Sequence, residues 1–325
     1  MAKAWLAGLT ALALAGAASA QTNPNFIAGA PDWSAAKAHI DKAHKIAGAD
    51  WNAAADYFCT PGVPPNRITD PAIAPTKLFD NVWALADSGT TVYAIVTPDG
   101  IILIDASYPQ QTDTLLLPQM AQAGLDPAKV IEILVTHGHQ DHYGGATYFQ
   151  QKYGTKVAVS RIDWDVMANN KPVAGISAPK RDIEIEDGKA FTAGGITFTP
   201  VLVPGHTPGS LAFIFPVQDN GKPHMAALYG SAPLRADRLR PEGLVQEIGS
   251  WKKFAAVAKR MKVDVELQNH PLFDNMPAKL QALATRQSGQ PNPFVVGAAS
   301  YARFTETVRE CLRSQIARKG GPIPN

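Results

Sequence analysis

The chain has 325 residues, 46% of them hydrophobic and 18% charged, a balance that excludes disorder and fibre and allows a large buried core. Its formal charge is +2, falling to +1 without residues 1–20, which carry Lys3 and no acid. So small a charge offers no electrostatic footprint for nucleic acid.

Residues 1–20 read as a secretory signal peptide: one lysine, an apolar run from Ala4 to Ala18, and the small-residue end Ala18-Ser19-Ala20, with cleavage expected after Ala20. A membrane anchor is the alternative, but about 15 apolar residues fall short of the ~20 that span a bilayer. The mature protein is therefore expected in the periplasm or outside the cell, free of the membrane. Residues 21–75 read as an N-terminal extension, with a helix at 33–47 and then a proline-rich stretch. His39 and His44 are five apart, off the i,i+4 spacing of paired ligands on one helix face, and read as surface or packing residues. Cys59 and Cys311 stand at opposite ends of the mature chain. Either they close a disulfide in an oxidising compartment or they are two buried free thiols.

Residues 76–325 read as the main domain. Strands are expected at 82–86, 91–97 and 101–105, with a turn at Asp99-Gly100. A helix at 112–123 stops at Gly124, and a buried strand follows at 130–135. A helix at 144–153 and a strand at 156–160 repeat that pattern. Further strands are expected at 182–186, 196–203, 211–215, 225–229 and 263–268, with helices at 250–261, near 277–285 and at 300–318. Two β-rich halves, each followed by helices, predict two sheets packed face to face with helices outside, an α/β fold.

The strand at 130–135 runs into Thr136 and then His137-Gly138-His139-Gln140-Asp141-His142. His137 and His139, one residue apart in an extended loop, point to the same side, while Asp141 and His142 project differently as a helix begins. Imidazole and carboxylate are the usual ligands of Zn²⁺, and three protein ligands with an open position make a catalytic site. Flanking glycines at 144 and 145 and the place between strand and helix argue against chance surface histidines.

This run resembles the H-x-H-x-D-H signature of the metallo-β-lactamase superfamily, and the resemblance extends over roughly residues 76–290. Asp105, closing Ile-Leu-Ile-Asp, is similar to the family aspartate that orients a ligand imidazole. Pro204-Gly205-His206-Thr207-Pro208-Gly209 and Asn269-His270-Pro271 resemble its later ligand loops. The resemblance implies a four-layer αβ/βα sandwich and two zinc ions, one on His137, His139 and His206, the other on Asp141, His142 and His270. It implies attack by a zinc-bound hydroxide, oriented by Asp141, because Zn²⁺ lowers the pKa of bound water to about 7. His224 has no counterpart and reads as surface or core.

Where thioesterases, lactonases and nucleases of this fold place a metal-bridging Asp in a Gly-Asp pair, this chain has Gly230-Ser231. The ligand set therefore resembles the subclass B3 metallo-β-lactamases, whose exported enzymes confer antibiotic resistance, and implies a monomer acting on a small molecule. Ser231 and Tyr143 are the candidate substrate-binding residues. The Ser-x-Ser pair of the B3 enzymes lacks its second hydroxyl here, since Ala232 and Pro233 follow Ser231; Arg235, Arg238 or Arg240 can replace it or be solvated surface. Phe273, Asp274 and Asn275 also depart from that pattern. The rival expectations are an exported di-zinc hydrolase of another ester, lactone or amide, and a metal-binding scaffold without activity, the latter disfavoured because all six expected ligands are present.

Overall fold

The computed structural model describes residues 33–59, 71–87, 89–173, 175–233, 236, 239–271 and 273–324. The signal-peptide segment, Arg235 and Arg238 lie outside the described residues. Helices α1 (Trp33–Ala47) and α2 (Asn52–Cys59) come first. The second of these, eight residues ending just before Pro61, adds to the expected helix at 33–47.

Strands β1 (Thr76–Phe79), β2 (Val82–Ala86), β3 (Thr91–Thr97) and β4 (Gly100–Ile104) form an antiparallel meander. Thr97 pairs with Gly100, so the tight turn is Pro98-Asp99 and Gly100 already belongs to β4. A side chain at Gly100 would meet Ile131 Cγ2 at 2.6 Å, so this close approach of the neighbouring strand requires glycine.

Residues Thr112–Leu116 wind as a π-helix into α3 (Leu117–Gln122). Strand β5 (Val130–Leu134) then adds parallel to β4, and α4 (Gln140–Tyr143) and α5 (Ala146–Tyr153) lead to β6 (Lys156–Ser160). Helix α6 (Arg161–Asn169) and β7 (Ile183–Ile185) complete a seven-stranded sheet in the order β1 to β7. Ile133 and Leu134 of β5 and Val157, Ala158 and Val159 of β6 are buried on both faces and read as apolar runs rather than alternating ones.

The second sheet has five strands: β8 (Phe191–Ala193), β9 (Ile196–Leu202), β10 (Leu211–Asp219), β11 (Lys222–Tyr229) and, after helix α7 (Pro241–Arg260), β12 (Val265–Leu267). β10 continues past the expected end at 215. Pro216 is tolerated because pairing with β9 ends at Ile214, which leaves that side of the strand an edge. Helices α8 (Met276–Ala284) and α9 (Ala298–Arg318) follow.

The sheets pack face to face through Ile104, Leu134, Phe213, Phe215 and Leu228. Met120, Phe149 and Trp164 cover the outer face of the first sheet, and Trp51, Trp251, Phe254 and Phe304 that of the second. The result is the expected four-layer αβ/βα sandwich. Each fully buried aromatic side chain contributes about 1.5–3 kcal/mol to it.

The N-terminal helices share the outer core of the second sheet. His39 and Lys42 of α1 reach Glu310 of α9 at 2.6 and 3.1 Å. Cys59 and Cys311 form a disulfide, with Cα atoms 4.3 Å apart, which resolves the two alternatives left open by the sequence. His224 is buried against Asp264 at 2.7 Å, a packing role as expected. Among the described residues no helix is long and apolar enough to cross a membrane.

Candidate metal centre

The ends of both sheets meet at one rim. From β5, Thr136 leads into the loop carrying His137 and His139, and the extended backbone of His139 turns into α4, which supplies Asp141 and His142. His206 comes from the β9–β10 loop and His270 from the loop after β12. The amide of Leu211 donates to Thr136 O at 2.8 Å and that of Thr91 to Asn269 O at 2.8 Å, stitching the sheets together beside the site.

Five imidazoles converge. His139 Nδ1 lies 3.0 Å from His206 Nε2, and His142 Nε2 lies 3.0 Å from His270 Nε2. His137 sits between, its ring centroid 3.9 Å from that of His142 and 4.7 Å from that of His206. Two groups with ligand atoms within 4.8 Å result: His137, His139 and His206, and His137, His142 and His270. Asp141 Oδ2 stands beside the second group, 3.2 Å from His142 Nε2 and 3.9 Å from His270 Nε2.

These residues fit a metal. Ligands at ~2.0–2.1 Å around a tetrahedral Zn²⁺ stand about 3.3 Å apart, close to the separations seen here. His137 Nε2 is buried with no hydrogen-bond partner, an arrangement that costs free energy unless a cation takes its lone pair. Burial and the neighbouring imidazoles hold the His137 pKa well below the usual value, favouring the neutral ligand form. Burial also disfavours charge on His142, but Asp141 and Asp105 outweigh it and raise its pKa to about 9. Loading a metal on that side releases a proton and weakens as pH falls.

Asp105 orients the second group. It closes β4 with φ +65°, a left-handed conformation costly for a non-glycine residue and typical of functional sites. Its Oδ2 takes His142 Nδ1 at 2.7 Å and Thr136 Oγ1 at 3.0 Å, and its Oδ1 accepts the Thr136 amide at 2.8 Å. His270 Nδ1 donates to Gly89 O at 2.6 Å. Both rings thus present Nε2 inward.

Two aspartates escaped the sequence reading. Asp87 accepts the amides of Gly89 and Thr90 at 2.9 and 2.7 Å, shaping the turn that offers Gly89 O to His270 and Thr90 Oγ1 to Asp141 at 3.4 Å. Asp163 lies behind the first group. The turn signature Asp-x-Gly-Thr and the helix start Ser160-x-x-Asp163 were the available signals.

The other candidates stand back from the rim. Ser231 is fully buried and its Oγ accepts the His206 amide at 3.2 Å, so it supports the His206 loop. Tyr143 packs in the core of the first sheet with its hydroxyl accepting from Asn170 at 3.2 Å. Arg240 is exposed at the start of α7. Asp274 is buried, 3.3 Å from Lys279 Nζ, and Phe273 is core.

Residues 85–219 match the model of the Metallo-beta-lactamase superfamily. A hydroxyacylglutathione hydrolase of Pseudomonas putida is 33% identical over 133 residues, 41% of this chain and 40% of that protein. The match thus spans about two fifths of that relative's length. Among solved structures, a subclass B3 metallo-beta-lactamase of Bradyrhizobium japonicum superposes with TM-score 0.65 at 26% identity, covering 79% of this chain and 98% of that one. The Rm3 metallo-beta-lactamase gives TM-score 0.63 at 25% identity, covering 76% and 95%.

Proposed function

We propose, on the premise that the chain belongs to the metallo-β-lactamase superfamily, that it is an exported zinc hydrolase opening β-lactam rings. The observation that carries this reading is the donor set: five converging histidines and Asp141, with the buried hydroxyl of Ser231 where a bridging carboxylate would otherwise stand. Zinc held there supplies a Lewis acid and water ionised near neutral pH. Asp141, at the edge of the cluster and steadied by Thr90, is placed to hold the proton of an attacking water and orient its lone pair. Asp105 and Gly89 keep His142 and His270 in one tautomer through the cycle. The apolar segment at 4–18 and the Cys59–Cys311 disulfide support export to an oxidising compartment.

A second reading is favoured by the likeness to hydroxyacylglutathione hydrolases, namely hydrolysis of a thioester by the same centre. Turnover of a chromogenic cephalosporin, a carbapenem and a hydroxyacylglutathione thioester by the zinc-loaded protein, with and without chelator, separates the two. Chelator-sensitive opening of either β-lactam is expected. Thioester turnover with both β-lactams intact overturns the first reading and establishes the second.

A further inference from the structure

Asp163 belongs to neither group of ligands, yet its carboxylate touches both loops that carry the first one. Ser160 Oγ caps α6 by accepting the Asp163 amide at 3.1 Å, which fixes the first helical turn and points the buried carboxylate at the rim. Oδ2 accepts the amide of Gly138 at 2.7 Å and the hydroxyl of Thr207 at 2.6 Å, and Oδ1 accepts the amide of Gly209 at 2.8 Å. Gly138 is the residue between His137 and His139, and Thr207 follows His206.

The surroundings are built to the same end. A Cβ at Gly138 would meet Val166 Cγ1 at 3.0 Å, and one at Gly209 would press on Ser160 and Asp163, so at these two positions the loops come against α6 as bare backbone. Asn170, at the far end of α6, donates to Gly138 O at 2.8 Å, gripping that residue's carbonyl while Asp163 holds its amide. Three donors on one buried carboxylate leave it little freedom to turn.

We propose that Asp163 is a positioning residue that sets the spacing of His139 and His206, and so the metal affinity of the first imidazole group, by clamping the 137–139 and 206–209 loops to α6. The proposal rests on the metal-centre reading above but not on the identity of the substrate. An amide at this position places an N–H against one of the backbone donors and opens one side of the clamp.

The test is Co²⁺ titration of metal-free wild type and of Asp163→Asn, Thr207→Val and Thr207→Ser, read by visible absorption, with amide hydrogen exchange of the metal-free proteins. One of two Co²⁺ equivalents is expected to weaken about 10–100-fold in Asp163→Asn with a changed spectrum, the other staying at wild-type affinity. Thr207→Val is expected to follow it in part, and Thr207→Ser to restore wild-type binding. Exchange at 137–139 and 206–209 is expected to quicken in Asp163→Asn and Thr207→Val alone. Should Asp163→Asn lose its folded circular dichroism, the Thr207 pair decides. Wild-type affinity, spectrum and exchange in Asp163→Asn, or identical behaviour of Thr207→Val and Thr207→Ser, overturns the clamp. A wild type that binds no Co²⁺ overturns the metal-centre reading instead, and the exchange comparison still decides whether the loops are clamped.

Discussion

The two imidazole groups are ordered by different means. His142 and His270 are buried, and each ring is fixed by a bond at its own outer nitrogen, to Asp105 at 2.7 Å and Gly89 O at 2.6 Å. His139 and His206 are partly exposed, and the loops around them are held at the main chain, by Asp163 on Gly138 and Gly209 and by Ser231 on the His206 amide. In one half the bonds described fall on ring nitrogens, in the other on main-chain amides. The second arrangement lies on the more exposed flank of the centre.

The comparison can be broken most severely by removing ligands. Chelation is expected to abolish hydrolysis, and His142→Ala to cost one metal equivalent while His139 and His206 still bind the other; metal analysis of the purified variant measures this. Retention of both equivalents would sink the ligand assignment. Next comes Asp105→Asn, which loosens the ring of His142 and is expected to weaken metal binding or turnover about 10–100-fold, read by competition with a chromogenic chelator. Equal weakening of both equivalents would erase the distinction between the halves.

Ser231→Ala sharpens the other side. Losing one acceptor for the His206 amide costs about 1–3 kcal/mol at most, and a few-fold change in turnover is expected. A rise in KM alone would mean instead that the hydroxyl meets substrate.

The smallest effect on chemistry belongs to Glu247, which lies on α7 against Gly205, in the loop whose later residues Asp163 holds. Both its oxygens are buried with no hydrogen-bond partner, and burial raises its pKa well above the usual value. The folded state then holds a proton that the unfolded state releases near pH 4 to 5. Stability from this group is complete below that range and is lost as pH rises toward the folded value. Glu247→Gln removes the slope, so the variant is expected to gain on wild type between pH 5 and pH 8 in urea denaturation, with kcat nearly unchanged. A constant difference across that range would remove the neutral-acid assignment.

Much of this centre is legible in the sequence, because its ligands are local. His137 to His142 sit within six residues, and the loops around His206 and His270 carry their own glycine and proline punctuation. The supports were harder to read. Asp87 and Asp163 act on backbone amides, which leave no trace in side-chain chemistry, and Asp163 reaches partners 25 and 46 residues away. Ser231 was expected to face a substrate, yet its place after β11 turns it inward behind His206. In the fold, α7 begins at Pro241 rather than 250 because Gly243 and Gly249 dilute the helical pattern that tertiary packing of Leu244, Ile248 and Trp251 restores. β1 and β8, of four and three residues, were too short to show a period.

The Cys59–Cys311 bond joins positions 252 residues apart, so residues 59–311, with both sheets, form one covalent ring. A ring survives a single cut. Proteolysis at the exposed turn around Gly175 and Ile176 would yield a nicked molecule that migrates as one species without reductant and as two fragments with it. Every residue of the metal centre lies within that ring, on one side of such a nick or the other, and remains tethered to the rest.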